Sequence, residues 1–298
     1  MAFAQRVIVL ESDNELLCSS YLFYALRDTK LKSRIEARQS GTTVSGIRAS
    51  ELKKVEINLP PLETQKKIAA VLSVLDDKIE LNNAINKNLE EQAQAIFKSW
   101  FIDFEPFGST MPDDWRKGRV EEIIIFHDSK RIPLSANKRN EMEKVYPYYG
   151  ATSIMDYVES YIFDGIFLLF AEDGTVIDDK GFPILQYVEG KFWVNNHAHV
   201  LTGRLGFSVE TLYLLFKTTK ITSIVTGAVQ QKISQSNLKQ VPVIVPSYED
   251  LIKFDKIIYP MFEMIRSLRT ENKKLGELRD ALLPRLMSGE IDVSAVTI

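Results

Sequence analysis

The stretch GTTVSGIRASELKKVEINLPPLETQKKIAAVLSVLDDKI (41–79) returns later in the chain as GAVQQKISQSNLKQVPVIVPSYEDLIKFDKIIYPMFEMI (227–265). A constant offset of 186 aligns Gly41 with Gly227, Ile47 with Ile233, Ser50 with Ser236, Leu52 with Leu238, Lys53 with Lys239, Val55 with Val241 and Pro60 with Pro246. The alignment continues without a gap through Glu63/Glu249, Ile79/Ile265, Asn86/Asn272, Lys87/Lys273, Leu89/Leu275 and Ala95/Ala281. A repeat of long period that encloses a globular insert means two similar modules in tandem, not a solenoid of short units. Two such modules can meet across a pseudo-two-fold axis and present similar faces to a two-part target.

The second half of each copy reads as a long helix. Leu72, Leu75, Ile79, Asn82, Asn86, Leu89, Ala93, Ile96 and Trp100 follow alternating steps of three and four, as do Ile258, Met261, Ile265, Leu268, Asn272, Leu275, Arg279, Leu282 and Leu286. That spacing is a heptad seam. The first helix is expected over about 62–104, roughly 60 Å long at 1.5 Å per residue. A single helix cannot bury its own seam, so the two stripes are expected to pair within the chain. Asparagine in the seam lowers stability but penalises wrong registers; at the seam edge it is simply solvated. The pair reads as a spacer.

Between the helices, PFGSTMPDDWRKG (106–118) is a loop rich in Pro, Gly and Asp. Residues 113–247 then read as a mixed α+β domain. Strands are expected at Ile123–Phe126, Tyr161–Phe170, Ile184–Val188, Phe192–Val194 and Val243–Val245, and a helix at Val209–Lys217. Residues 1–58 match only the last third of this domain, with LFYALRDTK (22–30) resembling LYLLFKTTK (212–220). This shortened first module is expected to expose apolar surface around Val7–Leu10 and Leu22–Leu26.

The 298 residues, 45% hydrophobic and 26% charged, fit an ordinary globular protein. Cys18 is the single cysteine, so no intrachain disulfide forms and a reducing cytoplasm is the expected location. No secretory signal or membrane-spanning stretch is recognisable. The net charge of −3 argues against indiscriminate coating of nucleic acid, but basic residues gather in 27–54 and 201–247, just ahead of Pro60 and Pro246.

Several chemistries have no motif here. G-x-G-x-x-G, a P-loop and a G-x-S-x-G elbow are missing. Pro60-Pro61 sits between Leu59 and Leu62, which is not the polar-Pro-Pro-aromatic loop of an adenine methyltransferase. His197 and His199 lie two apart as metal ligands on a strand can, and Glu172, Asp173, Asp178 and Asp179 are clustered. Structural hydrogen bonding and a solvated turn are the expected roles of these two groups, and no metal site is expected.

Three strings carry a resemblance: SGTTVSGIRASELKKVEINLPPLETQKKIAAVLSVLDDKI (40–79), VNNHAHVL (194–201) and LRDALLPRLMSGEIDV (278–293). In them the chain resembles the specificity (S) subunits of bacterial type I restriction–modification enzymes. The resemblance implies an α+β fold with target-recognition domains of mixed α/β structure and two long helices forming an antiparallel coiled coil. The expected organisation is a C-terminal remnant of a first recognition domain (1–60), a central helix (61–105), a second recognition domain (106–247), a distal helix (248–290) and a tail (291–298).

The resemblance also implies function. The chain would be a non-catalytic, sequence-specific reader of a split target in double-stranded DNA, with the helix pair setting the gap and docking methyltransferase (M) subunits. Restriction (R) subunits would join the assembly, and S-adenosylmethionine, ATP and Mg would belong to these partners, with no cofactor on this chain. A fragment that docks the M subunit without reading DNA, and a homodimer of shortened chains, are the alternatives. Lys and Arg contacts to phosphate give affinity, and base-edge hydrogen bonds give choice of sequence. The candidates for phosphate contact are Lys130, Arg131, Lys138, Arg139, Lys220 and Lys232. Tyr148, Tyr149, Gln230, Gln231 and Gln235 are the candidate base readers, since an amide can grip adenine bidentately.

Overall fold

The computed structural model describes residues 7–13, 15–41, 45–227 and 230–297. In chain order the elements are α1 (Ser19–Ala25), α2 (Thr29–Glu36), α3 (Ala49–Leu52), α4 (Leu62–Phe101), β1 (Arg116–Arg119), α5 (Val120–Ile123), β2 (Ile124–Phe126), α6 (Ala136–Asn140), β3 (Tyr146–Tyr149) and β4 (Ile154–Val158). They continue as β5 (Phe163–Asp164), β6 (Phe167–Ala171), β7 (Leu185–Val188), β8 (Lys191–Val194), β9 (Ala198–Gly203), α7 (Val209–Thr218), α8 (Gln235–Lys239), β10 (Pro242–Val245) and α9 (Tyr248–Met287). The architecture is α+β, as expected. Two compact units form, one from Met1–Ile85 with Ser267–Ile298, the other from Asn86–Arg266.

The sequence repeat is a structural repeat. Both long helices have 40 residues, and α9 begins and ends 186 positions after α4. The antiparallel bridge Ser40–Gly46 recurs as Thr226–Lys232 at the same offset. Each bridge is followed by a short helix, α3 or α8, then by an extended segment leading into a long helix. Each helix contains its whole stripe, and α4 ends at Phe101, a few residues before the expected end at about 104. Phe104 has a left-handed backbone (φ 56°), which ends α4 before Pro106.

In the first unit, α1 packs against the start of α4 and the end of α9. Tyr21, Tyr24, Ile68, Leu72, Leu283 and Leu286 are among the buried residues of this core. Each such side chain contributes about 1.5–3 kcal/mol by leaving water. Polar contacts fix the arrangement. Gln65 is 1% exposed; its amide donates to the carbonyls of Leu16 and Pro60, and its oxygen accepts from Cys18 N–H. Arg279 donates to Asp76 at 2.7 Å, so the one charged residue of the second stripe is paired across the helices. Asn82 is fully buried and donates to Glu271 and to Asn272 Oδ1, each at 2.8 Å, which fixes register in the way a buried seam asparagine does. The helices run antiparallel in this unit, since 76 meets 279 and 82 meets 272.

The expected exposure of the first module divides in two. Val7, Ile8, Val9 and Leu10 are 40–60% exposed, as expected. Leu22, Tyr24 and Ala25 are instead buried, because the ends of α4 and α9 cover the inner face of α1; Phe23 alone of that group stands 48% exposed.

The second unit holds two four-stranded sheets and a two-stranded ribbon. One sheet is antiparallel in the order β2-β9-β6-β7; the second has the order β4-β3-β8-β5, with β3 and β8 parallel; β1 pairs antiparallel with β10. Its main core joins the buried faces of β6, β9 and α7 to the seam residues Ala93, Phe97, Phe101, Phe254, Ile258, Phe262 and Ile265. Phe101 and Phe254 meet edge to face with ring centres 4.7 Å apart.

Several strands depart from expectation. The stretch read as one strand over Tyr161–Phe170 is two, β5 and β6, broken at Gly165 with its φ of 133°. Position 123 belongs to the single turn α5 rather than to a strand. Strands β1, β3, β4 and β9 were not expected. Pro147 inside β3 and the polar histidines beside and within β9 hide the alternation that marks a strand.

Candidate nucleic-acid interface

Thr226 and Lys232 are joined by an antiparallel bridge, and Lys232 is bridged in turn to Asp173, just past the end of β6. Gly227 opens the bridged loop with a left-handed backbone (φ 86°), and a Cβ there would stand 2.1 Å from the carbonyl oxygen of Gln230. The loop's return strand is tied to the sheet by Gly174 N–H on Gln231 O (3.0 Å) and Ile233 N–H on Glu172 O (2.8 Å). Gln230 is exposed and Gln231 half-buried.

Beneath this loop sits a buried polar knot that the sequence did not announce. His199, 1% exposed on β9, faces the carbonyl oxygen of Ile233 with Nε2 (2.8 Å) and Asp128 with Nδ1 (2.6 Å). Asp128 also accepts from Val200 N–H at 2.9 Å and from the Gln235 amide. Burial pushes the Asp128 carboxyl up, but His199, the Val200 amide and Gln235 together outweigh burial and hold it below the usual carboxylate range. Arg131 donates to Glu172 (2.7 Å) and to the carbonyl of Ala198 (2.6 Å), and Lys232 stands 3.4 Å from Glu172. Four segments are thereby joined: 128–131, 172–173, 197–200 and 231–235.

Among the described residues, Asp128, Glu172 and His199 place ligand atoms within 4.8 Å of one another. The donor set does not suit a cation, because the carboxylates already hold Arg131 and Lys232. The pair His197 and His199 separates likewise, each ring taking its own carboxylate, Asp173 or Asp128.

The candidate DNA contacts fall into distinct places. Arg131, Lys232 and Gln235 converge on the knot, with Arg131 12% exposed and Lys232 52% exposed at the side chain. Arg139 pairs with Asp156 at 3.0 Å and lies 5.0 Å above the Tyr148 ring. Tyr148 is 1% exposed, and its hydroxyl accepts from Leu134 N–H, so it offers no edge to solvent. Tyr149 is half-buried, its ring edge-on to Phe192. Lys130 and Lys138 are exposed, and Lys220 stands exposed 5.8 Å from the centre of the Phe182 ring. Asp156 is held down to about 2 by Lys144, the Tyr157 amide and Arg139. Asp128 escaped the sequence reading, while His199, expected there in a structural hydrogen-bonding role, sits at the centre of the knot.

Comparison with known proteins places this geometry. Residues 1–91 and 112–279 match the family described as type I restriction modification DNA specificity domain. The chain is 28% identical over 304 residues to the MjaIX specificity subunit of Methanocaldococcus jannaschii, covering 92% of this chain and 69% of that protein. It is 24% identical over 368 residues to the HindI specificity subunit of Haemophilus influenzae, covering 96% and 80%. The crystal structure of an S subunit from M. genitalium superposes with a TM-score of 0.57 at 22% identity, over 92% of this chain and 74% of that one, a likeness of fold.

Proposed function

Because this chain belongs to the type I restriction–modification DNA specificity family, we propose that its second unit reads one half of a split target in double-stranded DNA, with the bridged loop 226–232 as the reading element. The observation that carries this is the pairing of an exposed, amide-rich loop with the buried knot that holds it. A reader must keep donors and acceptors in place before contact, or binding loses the ordering cost. Gln230 and Gln231 are the base-reading residues of this proposal; Lys130, Lys138 and Lys220 supply phosphate contacts that position the module without carrying sequence.

Methyl transfer and cleavage then belong to M and R subunits, which would bring S-adenosylmethionine, ATP and Mg, and the chain itself is non-catalytic. The antiparallel helix pair supplies the docking surface for the M subunits. Among the described residues no helix is long and apolar enough to cross a membrane.

The test is co-expression with the neighbouring methyltransferase subunit, followed by mapping of methylated adenines. A split motif is expected, and Gln230→Ala with Gln231→Ala should relax one half of it while leaving the other. A stable complex that methylates nothing would sink the proposal. A palindromic split motif would mean that two copies of this chain serve one assembly.

A further inference from the structure

The same cavity occurs in both copies of the repeat. In the first unit it lies between α1 and α2, the extended segment 56–58 and the end of α9, with a volume of about 400 Å³. In the second it lies between α7, the segment 242–246 and the end of α4, at about 360 Å³. At the offset of 186, Tyr21, Arg34, Ile57 and Met287 of the first match Phe207, Lys220, Val243 and Phe101 of the second. The second unit has both of its sheets in place, so such a cavity belongs to the repeated frame itself. One wall differs. Helix α7 runs unbroken over 209–218, but the matching stretch 23–32 breaks after Ala25, and Asp28 leads the chain into α2. Asp28 lines the first cavity and is 7% exposed; its Oδ1 is buried without a hydrogen-bond partner, and among the described residues no cation pairs with it. Its counterpart, Leu214, is fully buried core.

A buried carboxylate without a partner is costly, and a cation that enters the cavity offsets the cost. A metal ion does not fit. It would need several oxygen ligands, and besides Asp28 the cavity offers one carboxylate, the exposed Glu56, together with the cations Lys30 and Arg34. The deep wall is apolar, with Tyr21, Ala25, Leu31 and Met287 all buried, which suits an alkyl stem. An ammonium need meet only one carboxylate oxygen, whereas a guanidinium fork takes two, and Asp28 Oδ1 is closed to solvent. Lys30 and Arg34 are exposed at the mouth, and Arg34 reaches across to Glu56 O at 3.2 Å. They repel a second positive end and attract an acid. We propose that this cavity takes a lysine side chain of a partner polypeptide, with the ammonium on Asp28, the stem against Tyr21, Leu31 and Met287, and a neighbouring acid of that polypeptide on Lys30 and Arg34. The second cavity, with leucine in place of Asp28, lacks the counter-ion. This inference stands independently of which surface meets DNA.

The probe is the capped dipeptide acetyl-Glu-Lys-amide, titrated against the full-length chain while methyl NMR follows Met287, Ile57 and, in the second cavity, Val243. Binding is expected at about millimolar concentration, shifting Met287 and Ile57 and leaving Val243 unmoved. Acetyl-Glu-norleucine-amide keeps the stem and loses the charge, and should bind about tenfold more weakly, as should the lysine dipeptide to Asp28→Asn, because a charge-assisted hydrogen bond is lost in each case. Putrescine supplies the ammonium without the acid and should bind more weakly than the dipeptide, and Arg34→Gln should narrow that gap. A further readout needs no ligand. Asp28→Asn removes an unpaired buried charge, so the melting temperature of the free chain should rise. Absence of shifts at Met287 and Ile57, equal binding of the norleucine dipeptide, unchanged binding to Asp28→Asn, or a lowered melting temperature in that variant would each overturn the proposal. So would tighter binding of putrescine, which would make a free diamine the occupant.

Discussion

At the head of α7 Ser208 accepts the Thr211 amide, and at the head of α8 Ser234 accepts the Asn237 amide. The matching positions in the first copy are Cys18 before α1 and Arg48 before α3, and neither side chain caps its helix. The contrast deepens at the sheet. His199 centres a buried knot in the second unit, whereas in the first Val7, Ile8, Val9 and Leu10, ahead of α1, are 40–60% exposed and lie in no strand among the described residues. The seam diverges as well, with Asn82 standing where the second copy has Leu268. The duplicated elements thus survive with different local support. The first copy relies on burial against the ends of the long helices, while the second adds caps and a satisfied polar interior. Exchanging residues between the copies tests that account.

The largest effect is expected from His199→Val, which removes the imidazole at the centre of the knot. Asp128 would lose its main partner in a buried site, and Ile233 O would lose its donor, for a loss of about 3–5 kcal/mol. Urea unfolding followed by the aromatic signal of the second unit checks it; a loss below 1 kcal/mol would mean the knot is incidental. Leu268→Asn should cost about 3 kcal/mol, as a 9% exposed leucine becomes a polar group with no matching partner. The reverse exchange, Asn82→Leu, removes a buried side-chain oxygen that has no hydrogen-bond partner and is expected to gain about 1 kcal/mol while loosening register. A raised denaturation midpoint together with faster amide exchange around 78–86 is the expected pair of results. Cys18→Ser gives α1 the cap that α7 has and should stabilise it by about 0.5–1 kcal/mol, read as a higher melting temperature.

The smallest signal is acid-dependent and belongs to the second unit. The Asp156 carboxyl titrates at about 2 in the folded chain against an ordinary 3.8. Its contribution is therefore fully present above the ordinary value and disappears as pH falls through the folded one. Asp156→Asn should flatten the acid limb of the melting temperature against pH between about 4 and about 2, and leave the neutral plateau nearly unchanged.

What could be read from the chain follows from which physical signals are local. The seam was legible because every heptad residue, from Leu72 to Leu286, is buried or half-buried, and burial of a stripe imposes its period on the sequence. Strands β6, β7 and β10 were legible for the same reason. Strand β3 was not, since Tyr146-Pro147-Tyr148-Tyr149 carries a proline and a polar edge. The knot was the least visible part. Asp128, Glu172, His199 and Gln235 are spread over more than a hundred positions, and only the topology brings them together. Tyr148 shows the converse: it was a candidate base reader, yet the ring is core and its hydroxyl serves the Leu134 amide. Sequence shows which residues have the chemistry to recognise a base; it does not show which of them point outward.

The matched bounds of α4 and α9 have a consequence for the gene. A crossover between the two copies at any equivalent pair of codons from Leu62/Tyr248 to Phe101/Met287 keeps the reading frame and joins the start of one helix to the end of the other without adding or losing a turn. Such an exchange deletes or inserts 186 codons as a block, so a change of reader need not interrupt the scaffold that carries it.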